Sequence, residues 1–347
     1  MQFPFCADLT VEKYLSGVRI DSFLVRHFRN YTAWCMQRMV RARLVRIDGV
    51  TAEPEDRVRT GQTVSIRLVE PPDKLLEAQE LPLDILHEDP WLIVINKPVG
   101  QVAHPCGNFY DCTLANALQF HFDQQTPLRG LLRPGIVHRL DRLTSGVTAV
   151  PKEHLAHRRL SIHWQSGRVS KTYYTLVHGN VEQDRGAIDR PIGNVSGGES
   201  ILMTTAADAV DPRPARTTFE VAERFGDYTL VRAQPITGRM HQIRVHFASI
   251  GHPVVADEFY SVDGPLKKTP RGGRPEPRVT SDEDPPLFDR QALHAFELRM
   301  WHPITRQLMR FEAPLPDDFQ RALALLRSRA NGPRSEAASV SPARTSA

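Results

Sequence analysis

Cysteine is scarce in this sequence, and its scarcity argues against a disulfide-stabilised scaffold. Only four cysteines occur among 347 residues, and no two of them form a CxxC pair. A chain of this length can bury a sizeable hydrophobic core without cross-links. We therefore expect reduced thiols, as is usual for proteins of the cytoplasm.

Long apolar runs and a secretory leader are also missing. No stretch reaches the roughly eighteen consecutive apolar residues that identify a membrane span. The N-terminal sequence MQFPFCADLTVEKYL contains no basic region followed by an apolar segment and a small-residue cleavage site. These absences predict a cytoplasmic protein that does not cross a membrane.

The net charge is small, but it is unevenly distributed. The whole chain carries +4, whereas residues 17–69 hold ten arginines against five acidic residues, an excess of +5. Such a cluster suits a polyanion, and in a cytoplasmic protein it favours nucleic acid. Charge alone does not distinguish this interpretation from a solvated arginine-rich surface.

Changes in composition divide the chain into segments. Residues 14–70 predict a compact module of two helices and a small sheet. The polar, proline-bounded residues 71–82 predict a linker, and residues 83–326 a larger, strand-rich domain. Within that domain, residues 261–286 are rich in proline, glycine and charge and predict a flexible surface excursion. The Ser/Ala/Pro-rich tail at 331–347 is expected to be disordered.

Local signals predict the individual elements. Apolar residues at helical spacing predict a helix near residues 17–24, and Thr32 is a plausible N-cap for the next one. Strand patterns occur in the module at 44–49 and 62–69. In the larger domain, buried strands are predicted at Trp91–Asn96, Gly146–Val150, Thr172–Val177 and Tyr228–Ala233.

The densest group of polar residues lies in GIVHRLDRLTSGV, residues 135–147. Asp141 is flanked there by His138, Arg139 and Arg142. Nearby cations favour the ionised form of an acid, which suits a nucleophile or base better than a proton donor. A structural ion pair at a strand end is the competing interpretation, and this segment alone favours it.

A second polar group lies in TGRMHQIRVHFASIGHP, residues 237–253. Thr237 is a plausible N-cap and Gly251 a stop signal, so the pattern predicts a helix between them. His241 and Arg244 lie three residues apart on a face of their own, from which they can reach a site or solvent. The apolar stripe on the other face comprises Met240, Ile243, Phe247 and Ile250.

Fourteen histidines raise the alternative of a metal-dependent nuclease or hydrolase. His241 and His246, the pair on the predicted helix, are five residues apart, which is poor spacing for two ligands on one face. No acidic or cysteine motif accompanies them. The sequence therefore predicts no metal site.

Tyr173 is a candidate for contact with a nucleobase. In the strand pattern SKTYYTLV it shares a face with Lys171 and Thr175. An aromatic ring on such a face can stack on an unpaired base. From this segment alone, a tyrosine at the edge of the core is the better interpretation.

Together these motifs resemble the RluA-type family of RNA pseudouridine synthases. The HRLD motif followed by Thr-Ser-Gly, at residues 138–146, is similar to the family signature. Residues 17–69 resemble the S-four-type RNA-binding module that many members carry. Further segments match in the family order, at residues 85–98, 100–105, 171–173, 237–246 and 291–295.

The resemblance implies a fold and a role for individual residues. The fold is α/β (α+β), with a long mixed, mainly antiparallel sheet, a central cleft and a small N-terminal α/β module. Asp141 would be the catalytic aspartate, Tyr173 would stack on the target base, and Arg244 would pair with Asp141. Arg139 would help to extrude the target nucleotide. Further contacts with substrate are expected from His138, Arg142, Lys171, Arg239 and His241, and contacts of the module with RNA from Arg19, Arg38, Arg41, Arg43 and Arg46.

Two positions depart from the family pattern. An acid commonly stands where this chain has Leu143, and a threonine where it has Met240. Neither position is one of the implied catalytic groups. The departures therefore bear on hydrogen bonds around the site and on substrate fit rather than on the reaction itself.

The implied reaction needs neither a metal nor a cofactor. The N1–C1′ bond breaks, the uracil turns, C5 joins C1′ and a proton leaves C5, so nothing is oxidised. Glycoside hydrolases usually need two carboxylates, but one is sufficient here because uracil leaves as a delocalised anion. Attack at C1′, attack at C6 and abstraction of a sugar proton are all compatible with the sequence.

Large-subunit ribosomal RNA is the expected substrate, transfer RNA is the alternative, and a monomer is the expected state. A non-catalytic RNA-binding factor for ribosome assembly is the competing function. It predicts loss of the acid or of its tyrosine and arginine partners. Asp141, Tyr173 and Arg244 are all present, so the sequence favours the enzyme.

Overall fold

The computed structural model describes most of the chain. It covers residues 4–69, 72, 76–107, 109–126, 129–196, 202–261, 264–265 and 287–331. The predicted excursion beyond residue 265 and the predicted tail beyond residue 331 lie outside the described residues. Residues 72 and 76–82 of the predicted linker are described.

The N-terminal module begins nine residues before its predicted start at 14. It contains β1 (Phe5–Thr10), α1 (Ile20–His27), α2 (Ala33–Arg41), β2 (Val45–Ile47), β3 (Val50–Thr51) and β4 (Thr63–Leu68). The strands form an antiparallel sheet in the order β1-β4-β2-β3, and β1 pairs with β4 along its full length. The extra strand was not predicted. Residues 5–10 alternate between partly buried and exposed positions, but the segment is short and none of its residues is fully buried.

Local chemistry explains the two helices of the module. The side chain of Thr32 accepts a hydrogen bond from the backbone N–H of Cys35, so the predicted N-cap of α2 is confirmed. Both helices turn an apolar face onto the sheet. The shared core includes Phe23, Leu24, Met36, Met39, Val64 and Ile66.

The larger domain has one extended sheet with helices on it. Its elements are β5 (Ile85–Glu88), β6 (Leu92–Lys97), α3 (Leu114–Gln125), β7 (Ser145–Pro151), α4 (His154–Gln165), β8 (Ser170–His178), β9 (Arg185–Asp189), β10 (Ile192–Asn194), β11 (Met203–Thr204), β12 (Val210–Arg213), β13 (Arg216–Arg224), β14 (Tyr228–Pro235), α5 (Gln242–Ser249), β15 (Tyr260–Ser261), β16 (Gly264–Pro265), β17 (Leu293–Trp301), β18 (Leu308–Glu312) and α6 (Asp317–Asn331). The four strands predicted for this domain are confirmed as β6, β7, β8 and β14.

The main sheet is mixed and mainly antiparallel, as predicted. Its order is β5-β6-β7-β17-β8-β14-β13-β9, and β18 also pairs with β17. Among the described strands of this sheet, only β7 and β17 run parallel, and they pair at Ser145–His294 and Gly146–Ala295. Helices α5 and α6 pack on the sheet through Phe247, Phe319 and their neighbours. Among the described residues, no helix is long and apolar enough to cross a membrane.

The module is docked directly on the larger domain. The buried amide of Asn30 donates to the carbonyl oxygen of Gly130 at 2.8 Å. The guanidinium of Arg158 lies 3.7 Å from the ring centroid of Tyr14. Leu131 packs against the core of the module. We call this contact surface the seam.

Gly146 marks the closest approach of β7 to β17. Its φ is +118°, and a Cβ atom placed on it would lie 2.1 Å from the carbonyl oxygen of Ala295. Neither the backbone conformation nor the space admits a side chain. This explains why a glycine ends the Thr-Ser-Gly run after Asp141.

Gly146→Ala should therefore destabilise the fold by about 3 kcal/mol or more, because strain at positive φ adds to a backbone clash. Gly226→Ala is the matched control, since Gly226 also has positive φ (+80°) but open space around its Cβ position. That control should lose only about 1 kcal/mol. Urea denaturation measures both, and equal losses would contradict the close-packing argument.

Histidines at the seam should make the stability depend on pH. Burial lowers the pKa of His154 to about 4, and the charge of His27 acts in the same direction. The unfolded chain binds a proton near pH 6.5 that the folded chain does not bind until about pH 4. The stability that the neutral His154 contributes is therefore fully present above pH 6.5 and is lost as the pH falls from 6.5 to about 4.

Between pH 7.5 and pH 5 the free energy of unfolding of the wild-type chain should fall. In His154→Gln this fall should be smaller by about 1 kcal/mol. Chemical denaturation at the two pH values gives this difference. His87→Gln serves as the control, because His87 lies away from the seam, beside Asp89. An unchanged pH dependence in His154→Gln would show that this histidine titrates alike in both states.

Candidate active site

A cleft of about 690 Å³ lies where the loop before β7, strand β8 and the turn before α5 meet. This volume lies within the range of small-molecule sites and can take a nucleotide. The sequence-predicted residues that line it are His138, Arg139, Asp141, Lys171, Tyr173, Arg239, His241 and Arg244.

Asp141 lies in the segment that leads into β7. Residues 134–141 have no strand ladder, and the backbone N–H of Thr144 turns back to donate to the carbonyl oxygen of Asp141 at 3.0 Å. The side chain of Asp141 is 25 % exposed, so a ligand in the cleft can reach it. The parallel pairing of β7 with β17 fixes the chain four residues later.

Two buried cations hold this segment from behind. The ammonium of Lys97 donates to the carbonyl oxygens of Pro98 at 2.7 Å, Gln101 at 2.9 Å and Arg142 at 3.4 Å. Burial lowers the pKa of Lys97 to about 7, and the charge of Asp141 opposes that shift. Arg290 donates to the carbonyl oxygen of Leu143 at 3.0 Å. The loop around Asp141 is thus anchored on both sides.

Arg244 joins Asp141 to a second carboxylate. Its Nε and Nη2 donate to the two oxygens of Asp257 at 2.6 Å and 2.7 Å, and its Nη1 donates to Asp141 at 3.0 Å. The side chains of Arg244 and Asp257 are 2 % and 0 % exposed. Burial alone would lower the pKa of Arg244, but bonding to Asp257 and the charges of both carboxylates raise it overall. The guanidinium therefore stays charged beside Asp141.

The helix that carries Arg244 begins later than predicted. The prediction of Thr237 as N-cap is wrong, because α5 starts at Gln242 and its N-cap is His241, at φ +55°. The reason is the side chain of Gln242. Its Oε1 accepts from the hydroxyl of Thr237 at 2.6 Å and from the N–H of Arg239 at 3.0 Å, which holds residues 237–239 in a turn.

His241 lies between Asp141 and Tyr260. Its Nδ1 lies 2.7 Å from the hydroxyl of Tyr260, and its Nε2 lies 3.9 Å from Asp141. Burial lowers the pKa of His241 to about 4, although the charge of Asp141 opposes that shift. The imidazole is therefore neutral at physiological pH and lines the cleft as a polar but uncharged group.

Strand β8 supplies the opposite wall. Lys171 and Tyr173 share one face of β8, as predicted, and both line the cleft. Burial lowers the pKa of Lys171 to about 8, and its ammonium donates to the carbonyl oxygen of Thr237 at 3.2 Å. Burial, and then the charge of Asp141, raise the pKa of Tyr173. Its phenol therefore keeps its proton at neutral pH.

The remaining predicted residues divide into wall and rim. The ring of His138 stacks on Trp164 with centroids 4.0 Å apart, and its Nε2 accepts from the N–H of Ala149 at 3.0 Å. Its role is thus to hold the loop on β7 as well as to line the cleft. Arg139 is exposed, and Arg239 donates from Nε to the carbonyl oxygen of Pro214. Arg142 lies outside the cleft and over the ring of Phe109.

The five arginines predicted to make RNA contacts in the module lie outside the cleft. Arg19 forms an ion pair with Asp21, and Arg38 lies 4.3 Å from the ring centroid of the exposed Trp34. The others, Arg41, Arg43 and Arg46, are exposed. They form part of the module surface and are separate from the group around Asp141.

Sequence reasoning missed Asp257 and Tyr260. Both lie in ADEFY, thirteen and sixteen residues after Arg244. The available signal was a pair of acids, Asp257 and Glu258, between the apolar run PVVA and two aromatic residues. Acids after an apolar run have many structural explanations, so only the contact with Arg244 identifies Asp257. Among the described residues, no group of three or more His, Cys, Asp or Glu side chains could hold a metal ion.

Comparison with known proteins agrees with this geometry. The family model described as RNA pseudouridylate synthase matches residues 91–249. The RNA pseudouridine synthase YlyB of Bacillus subtilis is 36% identical over 92% of this chain and 98% of its own length. The large-subunit pseudouridine synthase D of Nitrosomonas europaea is 36% identical over 92% of this chain and 88% of its own length. The large-subunit pseudouridine synthase D of Haemophilus influenzae is 35% identical over 90% of this chain and 92% of its own length.

Solved structures agree as well. The human RNA pseudouridylate synthase domain containing 4 superposes with a TM-score of 0.54 at 25% identity, and it covers 70% of this chain and 93% of its own. The human RNA pseudouridylate synthase domain containing 1 gives a TM-score of 0.50 at 26% identity, and the match covers 73% of this chain and 98% of its own. The chain therefore belongs to the RluA-type RNA pseudouridine synthases and is an enzyme that isomerises uridine in RNA to pseudouridine.

Proposed function

We propose that this enzyme modifies specific uridines of large-subunit ribosomal RNA, with Asp141 as its catalytic carboxylate. The observation that carries the catalytic assignment is the contact of the buried Arg244 with Asp141 at the wall of the cleft. The ribosomal substrate is supported by relatives named as large-subunit synthases, which match 90% of this chain or more. Action as a monomer in the cytoplasm is part of the same proposal.

The geometry supports a reaction with one ionised carboxylate. The target uridine flips out of its stack into the cleft, at a cost of a few kcal/mol in a duplex. The ring of Tyr173 stacks on the uracil, and Arg244 donates to Asp141 and orients its carboxylate next to the ribose. Uracil departs as a delocalised anion when the N1–C1′ bond breaks, turns and rejoins through a C5–C1′ bond. C5 then loses its proton and N1 gains one, so the product is an isomer of the substrate. The buried walls limit the access of water that would hydrolyse the ribosyl intermediate.

Arg244 is positioned for this role by Asp257 rather than by substrate. Asp257 occupies the Nε and Nη2 edge of the guanidinium, which leaves Nη1 directed at Asp141. The orientation is therefore set before RNA binds. Pre-organised charge of this kind is worth more inside a dry cleft than in water.

Asp141→Asn should abolish modification while the fold remains. The test compares pseudouridine maps of total RNA from cells that lack the native gene and carry either the wild-type or a variant chain. We expect defined sites in large-subunit ribosomal RNA to disappear with Asp141→Asn. They should persist with the control Asp189→Asn, whose carboxylate is exposed and pairs with Arg216.

Two results would overturn parts of this proposal. Loss of sites in transfer RNA alone would replace the ribosomal substrate with the alternative one. Persistence of every site in Asp141→Asn, with RNA binding intact, would remove the catalytic role of Asp141.

Asp257→Asn should lower kcat by about a hundredfold with little change in the Kd for RNA, because a displaced guanidinium no longer fixes Asp141. Glu297→Gln is the matched control, since Glu297 is also buried and pairs with two arginines, Arg299 and Arg310, outside the cleft. Turnover and Tm are measured for both variants. If both lose turnover in proportion to Tm, Asp257 only stabilises the fold.

A further inference from the structure

Two arginines meet at the seam inside the cleft. Arg29 follows α1 of the N-terminal module, and Arg133 lies in the loop between α3 and β7 of the larger domain. The Nη1 of Arg133 donates to the backbone carbonyl oxygen of Arg29 at 3.1 Å. Both side chains line the same cleft as Asp141. The cleft is therefore built from both parts of the chain.

These two guanidiniums are not neutralised. Among the described residues, neither Arg29 nor Arg133 forms an ion pair with an acid, whereas the buried Arg244 and Arg290 each do. Burial lowers the pKa of Arg133, and burial together with the charge of Arg133 lowers that of Arg29. Two partly buried like charges held this close repel each other and favour the arrival of an anion.

The backbone leaves space next to this pair. A Cβ atom on Gly135 would lie 3.2 Å from Nη1 of Arg29 and 2.8 Å from the ring of His157. The absence of a side chain at Gly135 therefore lets Arg29 reach into the cleft. His157 adds no positive charge to this pair, because burial lowers its pKa to about 4 and leaves it neutral at physiological pH.

Contacts at the seam hold the backbone next to Arg29 in one position. Its neighbour Asn30 is fully buried and bonds to Gly130 and Gln119 of the larger domain. On the same side, the ring of His27 lies 5.3 Å from that of His154. Arg29 is thus held at a defined place relative to Asp141, as a specific contact requires.

We propose that Arg29 and Arg133 form a clamp for a backbone phosphate of the substrate RNA close to the target uridine. The proposal rests on the proposed function, since it takes RNA as the ligand of the cleft. Guanidiniums bind phosphate through paired N–H donors, and such contacts position a nucleic acid without reading its sequence. The N-terminal module would then act inside the cleft as well as through its exposed arginines.

Binding measurements test the clamp in an Asp141→Asn background, which prevents turnover. The probes are in vitro transcripts of large-subunit ribosomal RNA and of transfer RNA, each titrated at several KCl concentrations. Arg29→Ala and Arg133→Ala should each raise Kd about tenfold near 0.1 M salt. Each should also reduce the slope of log K against log [KCl] by about 0.7 to 0.9, the value for one phosphate contact.

Three further variants separate the clamp from other causes. Arg321→Ala removes the same charge from the exposed face of α6, and Arg158→Ala removes a seam contact outside the cleft. Neither should change the salt slope for RNA. Arg133→Lys keeps the charge without the paired donors, so it should retain the slope and lose part of the affinity. It also provides a readout if Arg133→Ala folds poorly.

The proposal is overturned if Arg29→Ala and Arg133→Ala change Kd and the salt slope no more than Arg321→Ala does, for the ribosomal as well as the transfer RNA transcript. It is also overturned if Arg158→Ala causes the same loss, because the two arginines would then act only by docking the module. A failure of the proposed ribosomal substrate is seen separately, as a wild-type enzyme that modifies only transfer RNA. The clamp is then judged on the transfer RNA titrations.

Discussion

The buried guanidinium of Arg244 holds the active site together, since it is the only group in contact with both Asp141 and Asp257 among the described ion pairs. A guanidinium presents donors along two edges in a fixed plane. Asp257 takes one edge, and Asp141 takes the remaining Nη1. A lysine in the same place would present a point charge and could not fix both carboxylates in this geometry.

The charge balance of this group explains why Asp141 differs from Asp257. Two carboxylates share one cation, so the group carries a net negative charge. Asp257 is fully buried and depends on the guanidinium to offset its loss of hydration. Asp141 receives a single donor from Arg244 and remains partly exposed to the cleft. Of the two carboxylates, Asp141 is therefore the one that can still interact with a ligand.

Sequence patterns predicted the fold to the extent that local signals decided it. The capping hydroxyl of Thr32 and the largely buried runs of β6 and β8 are local, and the elements they predict are present. The start of α5 was misplaced, because the side chain of Gln242 accepts from Thr237 and Arg239 and holds residues 237–239 in a turn. The same side chain donates to the carbonyl oxygen of Arg216 on β13. That second contact joins residues far apart in sequence, which a local pattern cannot reveal.

The same limit applied to the site. Asp141 and Arg244 came from motifs that resemble a family, whereas Asp257 required the three-dimensional contact. The β1 strand and the docking of the module were missed for a related reason. Pairing with β4 and burial of Asn30 against Gly130 depend on residues at sequence separations of dozens of positions or more. Periodicity within a short window contains no information about such partners.

Cations around the cleft fall into two groups, and the division indicates how one surface can serve both chemistry and binding. Arg244, which lines the cleft, and Arg290, which lies behind it, are paired with Asp257 and Asp318, so their charge is used within the protein. Arg139 and Arg239 line the cleft, and neither forms an ion pair with an acid among the described residues. Their charge is available to a polyanion, and it is screened by salt because Arg139 is exposed and Arg239 is partly exposed. Variation in ionic strength should therefore act on RNA binding through these cleft-lining cations and leave the geometry of Asp141 unchanged, since its partner is buried.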